Sequence, residues 1–370
     1  MGKITPFSIG RRDMQKEGHW EPLDIETYRI TKPTVICLGG NCTKTPRDAN
    51  AMCKLAQNLV GLKDKTFQNE IATTGSVDFV GIDYGTNNEN KDAISRLTTE
   101  ERDLIAKNLL VSMCKDENGN ILPNDQIIKN FNQVTFFSWC HGGTEGAYIF
   151  WSAFNQMKEL GIDEDVAGKA CNQMFGVSYS PDDVTSMPSL RIFSENDKMR
   201  YTGCTTEEVS ATHMSNLFQE KYPKSPHNGI YKADDVTAVL ITSHVVRPKT
   251  DENGKILRNI DGPIFKDEHD AFLINRDENW RPTAENISSY GDKVSQVAGY
   301  TLANSIANSI QNQDSDTFIP KPTIDEVISD ARDILAETQK SAFYEIIKNI
   351  KEEHGMSTED IPEELLQDPN

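Results

Sequence analysis

One run constrains this chain more than any other: Val134-Thr-Phe-Phe-Ser-Trp-Cys-His-Gly-Gly-Thr-Glu-Gly146. Val134 to Phe137 is apolar and predicts a buried strand. A helical pattern starts at Thr144 and continues to about Leu160. Between them stands only Ser138-Trp-Cys-His-Gly-Gly143. A strand that turns into a helix this sharply brings two backbones almost into contact, so the turn needs small residues. The residue at its tip takes an unusual backbone conformation and presents its side chain beyond the end of the sheet. Here that residue is Cys140.

The rest of the chain alternates short apolar runs with helical patterns. Thr34–Leu38, 77–82, 134–137, 176–179, 189–193 and 236–246 read as strands. Helical spacing covers about 46–60, 99–113, 124–132, 144–160, 206–222 and 284–311, and the segment at 99 carries the signature of a capping box at Thr98 or Thr99. Alternation of this kind predicts an α/β fold with a doubly wound, mostly parallel sheet covered on both faces. The core is expected over 31–311. Residues 1–30 read as an irregular lead-in on which Trp20 and Tyr28 pack down, and a hairpin is expected to turn at Asn253-Gly254. The segments 199–235 and 247–268 are candidate caps. Residues 312–370 read as a helical appendage with an acidic tail. Within it, Ile324, Val327, Ile328, Ala331, Ile334 and Leu335 recur at helical spacing, as do Phe343, Ile346, Ile347 and Ile350. Such stripes bury against the core or against a partner, self-association through 324–354 included.

Ligands on open α/β sheets bind beyond the carboxyl ends of the strands. Gly39-Gly40-Asn41, Asp83, Cys140, Asp197 and either His244 or His269 all fall at or after such ends. In this order the chain resembles the α/β-hydrolases. With cysteine at the elbow it is similar to the dienelactone-hydrolase branch, whose elbow reads G-x-C-x-G-G. Ser138-Trp-Cys140-His-Gly142-Gly143 matches that pattern except at the first glycine. The resemblance spans residues 30–311 in element order and four short segments in motif.

It implies an ester- or thioester-type hydrolase with a covalent acyl-enzyme. Cys140 is the implied nucleophile and Asp197 the acid, with Glu195 as the fallback. The base is His269, in the loop before the last core helix, or His244, at the end of the 236–246 run. The implied oxyanion donors are the backbone N–H groups of Asn41 and His141. A thiolate at a helix N-terminus is favoured electrostatically, which suits Cys140 independently of any resemblance. Two other readings stay open. One is a hydrolase-shaped binding module without activity. The other is a caspase-like cysteine peptidase using His141, although no cysteine follows the next strand, around Gly176–Ser180.

Composition narrows the partners. A net charge of −19 and a pI near 4.8 argue against nucleic acid. A small-molecule or acylated substrate is expected instead. The seven cysteines are odd in number and lack C-x-x-C spacing, and Cys37 with Cys42 has no second pair to complete a zinc site. No metal and no cofactor are expected. No apolar stretch approaches the roughly 20 residues that span a bilayer. Met1–Pro6 has no apolar signal region, and Pro6 stands where a myristoylation signal needs Ser or Thr. The sequence therefore reads as cytoplasmic, with export lacking a cleaved signal left open.

Overall fold

The computed structural model describes residues 7–13, 19–40, 45–85, 97–179, 181, 187–194, 229–232, 235–242, 258–259, 262–263, 289–315 and 317–336. The strands are β1 (Ser8–Asp13), β2 (His19–Leu23), β3 (Thr34–Leu38), β4 (Asp78–Asp83), β5 (Val134–Trp139), β6 (Phe175–Tyr179), β7 (Ser189–Ser194), β8 (Gly229–Lys232) and β9 (Thr237–Thr242). They form one sheet in the order β2-β1-β4-β3-β5-β6-β7-β9-β8. From β4 across to β9 every pairing is parallel, while β1, β2 and β8 run antiparallel at the two edges. The fold is α/β with a mostly parallel sheet.

β3 to β6 are buried on both faces, as such sheets require. On β5, Phe136 packs into one apolar cluster and Phe137 into the other. One face is covered by α1 (Pro46–Lys63) and α7 (Ser289–Asp314). The opposite face is covered by α3 (Thr99–Ile105), α4 (Asn124–Phe131), α5 (Gly142–Glu159) and α6 (Glu164–Cys171). Local chemistry sets the helix starts. Thr45 and Asp48 form a capping box ahead of Pro46, and Thr98 forms another with Glu101. α2 (Lys65–Thr74) begins on the Asp64 side chain and stops at Gly75, whose φ of 63° suits glycine.

Several expectations are corrected. Residues 8–13 and 19–23 are not an irregular lead-in but a hairpin that extends the sheet. Its charged residues pair across strands instead of marking a loop: Arg11 reaches Glu21 at 2.5 Å and Asp78 at 3.3 Å. The helix expected to run unbroken from 99 to 113 becomes a π-turn at Ala106–Leu110 and a 3-10 turn at Val111–Cys114. α6 is too short to produce a periodic signal and begins on an Asp163 cap. Residues 229–232, inside the first candidate cap, are a sheet strand. In the second, Arg258–Asn259 (β10) pairs with Gly262–Pro263 (β11); Asn253-Gly254 and the helix expected at 206–222 lie outside the described residues.

The C-terminal segment is also more than an appendage. Helix α8, 324–336, buries Ile324, Val327, Ile328 and Ala331 in the cluster that holds Leu59, Val297 and Leu302. The described part of that stripe is thus covered by its own chain; 337–370 lies outside the described residues. The link from α7 to α8 is fastened from inside. Lys321 is 5% exposed, and its Nζ lies within hydrogen-bond distance of Ser309 Oγ (2.6 Å), Ser305 O (2.7 Å) and the hydroxyls of Ser305 (2.9 Å) and Thr135 (3.0 Å).

Burial holds the Lys321 amine well below its ordinary value of 10.5. Between the lowered pKa and 10.5 the unfolded chain binds this proton and the folded chain does not. Stability therefore rises with pH across that window, by at most about 1.4 kcal/mol per unit. Lys321→Met is expected to lose this rise. Urea unfolding near neutral pH and near pH 10 should show the difference between wild type and variant moving in favour of wild type at the higher pH.

Candidate active site

The strand order reverses direction at β3. From it the chain passes first to β4 on one side and later to β5 on the other. The helices that follow β3 and β5, α1 and α5, consequently lie on opposite faces of the sheet. Such a switch point opens a crevice at the carboxyl ends of the two strands. Gly39-Gly40 ends one wall, and Trp139-Cys140 ends the other.

Cys140 has φ 55°, the one positive φ among described non-glycine residues. A left-handed conformation costs a side-chain-bearing residue on the order of 1–2 kcal/mol. It persists because the turn is pinned on both sides. Cys140 N–H donates to Tyr179 O at 2.9 Å, extending the β5–β6 ladder, and Gly143 N–H donates to Cys140 O at 3.0 Å inside the first turn of α5.

The glycines follow from close approach. A Cβ on Gly142 would sit 2.3 Å from Leu38 O and 2.6 Å from Gly39 O. One on Gly40 would sit 2.9 Å from Cys140 Cβ, and one on Gly143 would meet Pro181 Cβ at 2.8 Å. Ser138 occupies the first small position of the turn and is 2% exposed. Its register partner on β6 is Ser178, and the two hydroxyls are hydrogen-bonded. A serine fits there because its one polar atom is satisfied across the sheet. Tyr84, after β4, donates its hydroxyl to Gly39 O and fastens the opposite wall.

Among the described cysteines only Cys140 is part-exposed; Cys37, Cys53, Cys114 and Cys171 are buried. Burial raises Cys37 well above the ordinary thiol range and pushes Cys114 and Cys171 up to about 12. These three are inert thiols near neutral pH. Cys140 instead is part-exposed and directly precedes His141, the N-cap of an eighteen-residue helix.

The His141 side chain packs along its own helix. It is 3% exposed, with Nε2 2.9 Å from Oε1 of the fully buried Glu145. Arg102, from α3, holds the same carboxylate with Nε at 2.6 Å from Oε2 and Nη2 at 3.0 Å from Oε1. Burial opposes the charge on Glu145, but the hydrogen bonds from His141 and Arg102 and the Arg102 charge outweigh it and hold the carboxyl below its usual range. The imidazole is thus enclosed between its own helix and the carboxylate that Arg102 holds.

Asp83 also serves the frame. It is 3% exposed, accepts the Ser8 hydroxyl and the Gly85 N–H, and ties β4 to β1; burial raises its pKa. Asn41, Glu195, Asp197, His244 and His269 lie outside the described residues, as do Cys42 and Cys204. β7 and β9 end in register at Ser194 and Thr242, on the same sheet edge as Cys140. In the sequence, Asp197 and His244 follow Ser194 and Thr242 by three and two positions.

Sequence reasoning did not find Arg102, Glu145, Ser178 or Tyr84. Glu145 carried a readable signal, since it stands four residues after His141 on one helix face. A groove of about 1480 Å³ lies at the opposite end of the strands, lined by Thr31, Lys107, Ser112, Gln133, Asn155 and Leu160 among others. Among the described residues no cysteine or histidine lines it, and the crevice at β3 and β5, which holds Cys140, is taken as the candidate site. The chain matches no protein-family model, and no curated protein matches it.

Proposed function

We propose that the chain is a hydrolase of the α/β-hydrolase type that cleaves an ester or thioester bond through Cys140. The observation that carries this reading is the φ of 55° at Cys140, in a turn between β5 and α5 at the switch point of the sheet. A strained conformation on the one part-exposed described thiol, held by close glycine contacts, is what a presented nucleophile requires.

In the proposed reaction the Cys140 thiolate attacks the substrate carbonyl carbon and forms a tetrahedral oxyanion. The backbone N–H groups of His141 and Asn41 stabilise it. Collapse expels the alcohol or thiol, which takes a proton from an imidazolium, and leaves an acyl-cysteine. The same imidazole then removes a proton from water as the water attacks the acyl carbon, and the thiolate is released. His269 is the proposed base and Asp197 its orienting acid, with His244 as the alternative base. The dienelactone-hydrolase-like elbow motif supports this assignment. A binding module of the same shape would retain the turn without the chemistry.

Iodoacetamide near neutral pH separates the two. The peptide containing Cys140 is expected to be alkylated at least about tenfold faster than those containing Cys37, Cys114 or Cys171, given their suppressed thiolates. Turnover of a broad ester and thioester panel should then be lost in His269→Ala and retained in His244→Ala. The reverse pattern transfers the role to His244. A Cys140 that resists alkylation, in a protein inert to the whole panel, leaves the binding module.

A further inference from the structure

Three charged or ionisable side chains beneath the elbow form a chain of contacts that the proposed thiol chemistry does not itself use. It runs from the His141 ring through Glu145 to Arg102. Glu145 is 0% exposed. A carboxylate buried this deeply is rarely a net source of stability, because its desolvation offsets its ion pairs. What a fork-bound carboxylate does supply is a fixed geometry. The Arg102 guanidinium also lies 4.4 Å over the Tyr148 ring, so its plane is held independently of Glu145.

The residue at the far end of this chain directly follows the nucleophile. Cys140 is strained, and its own N–H is tied to Tyr179 O. The peptide on its other side belongs to His141. With the ring of His141 seated on Glu145, the turn is anchored both before and after the sulfur-bearing residue.

We infer that Arg102 is a positioning residue for Cys140: through Glu145 it clamps the His141 ring, and with it the peptide that follows the nucleophile. The clamp acts on the elbow whether or not the thiol turns over a substrate; its catalytic consequence rests on the hydrolase reading. Lysine keeps the charge of arginine but not the two-pronged contact, so Arg102→Lys and Arg102→Gln should behave alike.

Hydrogen exchange of the peptide spanning 138–146 reads the clamp directly. In both variants exchange there is expected to rise at least about tenfold, with peptides from β3 and α7 unchanged. Alkylation of Cys140 by iodoacetamide should slow about tenfold, the scale of a small misplacement at a reacting atom. On a thioester substrate kcat should fall with KM unchanged. Glu145→Gln, which keeps the volume and loses the charge, provides the same exchange test should the Arg102 variants fail to fold. Unchanged exchange across 138–146 in any folded variant overturns the clamp, as does an Arg102→Lys protein that matches wild type. If wild type is inert on every substrate while exchange still rises, the hydrolase reading fails and the clamp stands.

Discussion

Cys140→Ala is expected to abolish turnover, by on the order of 10⁴-fold or more, since loss of a covalent nucleophile leaves only binding and oxyanion stabilisation. Its stability should stay within about 0.5 kcal/mol of wild type, because alanine meets the same backbone restriction at φ 55°. Cys140→Gly makes the more telling comparison. Glycine takes positive φ freely, so it relieves the strain while making the unfolded chain more flexible. A net gain of about 0.5 kcal/mol in an inactive protein is expected, measured by urea unfolding. A Cys140→Gly protein less stable than Cys140→Ala would mean that the turn is not strained. Equal turnover by wild type and Cys140→Ala would remove cysteine from the mechanism.

The second large effect concerns Gly142. Its missing Cβ is what lets α5 begin directly against the end of β3, where the nearest atoms are the backbone oxygens of Leu38 and Gly39. Backbone cannot rotate aside as a side chain would. Gly142→Ala is therefore expected to cost about 3 kcal/mol and to suppress alkylation of Cys140, because the helix start must move. Gly168 is the matched control. It lies inside α6, and apart from its chain neighbours and its own helix backbone no atom of the described residues stands within 4 Å of the point an alanine methyl would occupy. Gly168→Ala should therefore stabilise by up to about 1 kcal/mol through helix propensity alone. Thermal melting of the two variants side by side would separate contact from propensity; equal shifts would refute the contact account.

The strand, turn and helix around Cys140 were legible because several local signals agree there. Val134 to Phe137 is an apolar run, Gly142 and Gly143 are small, and the helix from Thr144 is long. The parallel core was legible for the same reason, since strands such as Thr34–Leu38 are apolar throughout. The N-terminal hairpin was not. Arg11, Arg12 and Glu21 look like surface loop residues until Glu21, Asp78 and Gln57 are brought beside them from elsewhere in the chain. α6 has too few turns to show a period. Within the site, the tip residue could be read locally, whereas the Arg102 fork spans 43 positions and leaves no local pattern. Lys321 was illegible for a related reason. A lone lysine reads as surface, and only tertiary structure gathers three hydroxyl residues around it.

That gathering has a consequence for how the protein is made. Lys321 and its partner Thr135 on the elbow strand are separated by 186 positions. At a synthesis rate of about 5–20 residues per second, the ribosome takes roughly ten to forty seconds to travel from one to the other. Over that interval β5 can pair with β3 and carry its cysteine, but Thr135 still lacks the buried Lys321 amine that packs against it. The nascent elbow is thus finished from the far end of the chain, and a polypeptide cut short before residue 321 would carry the nucleophile on an incompletely sealed strand.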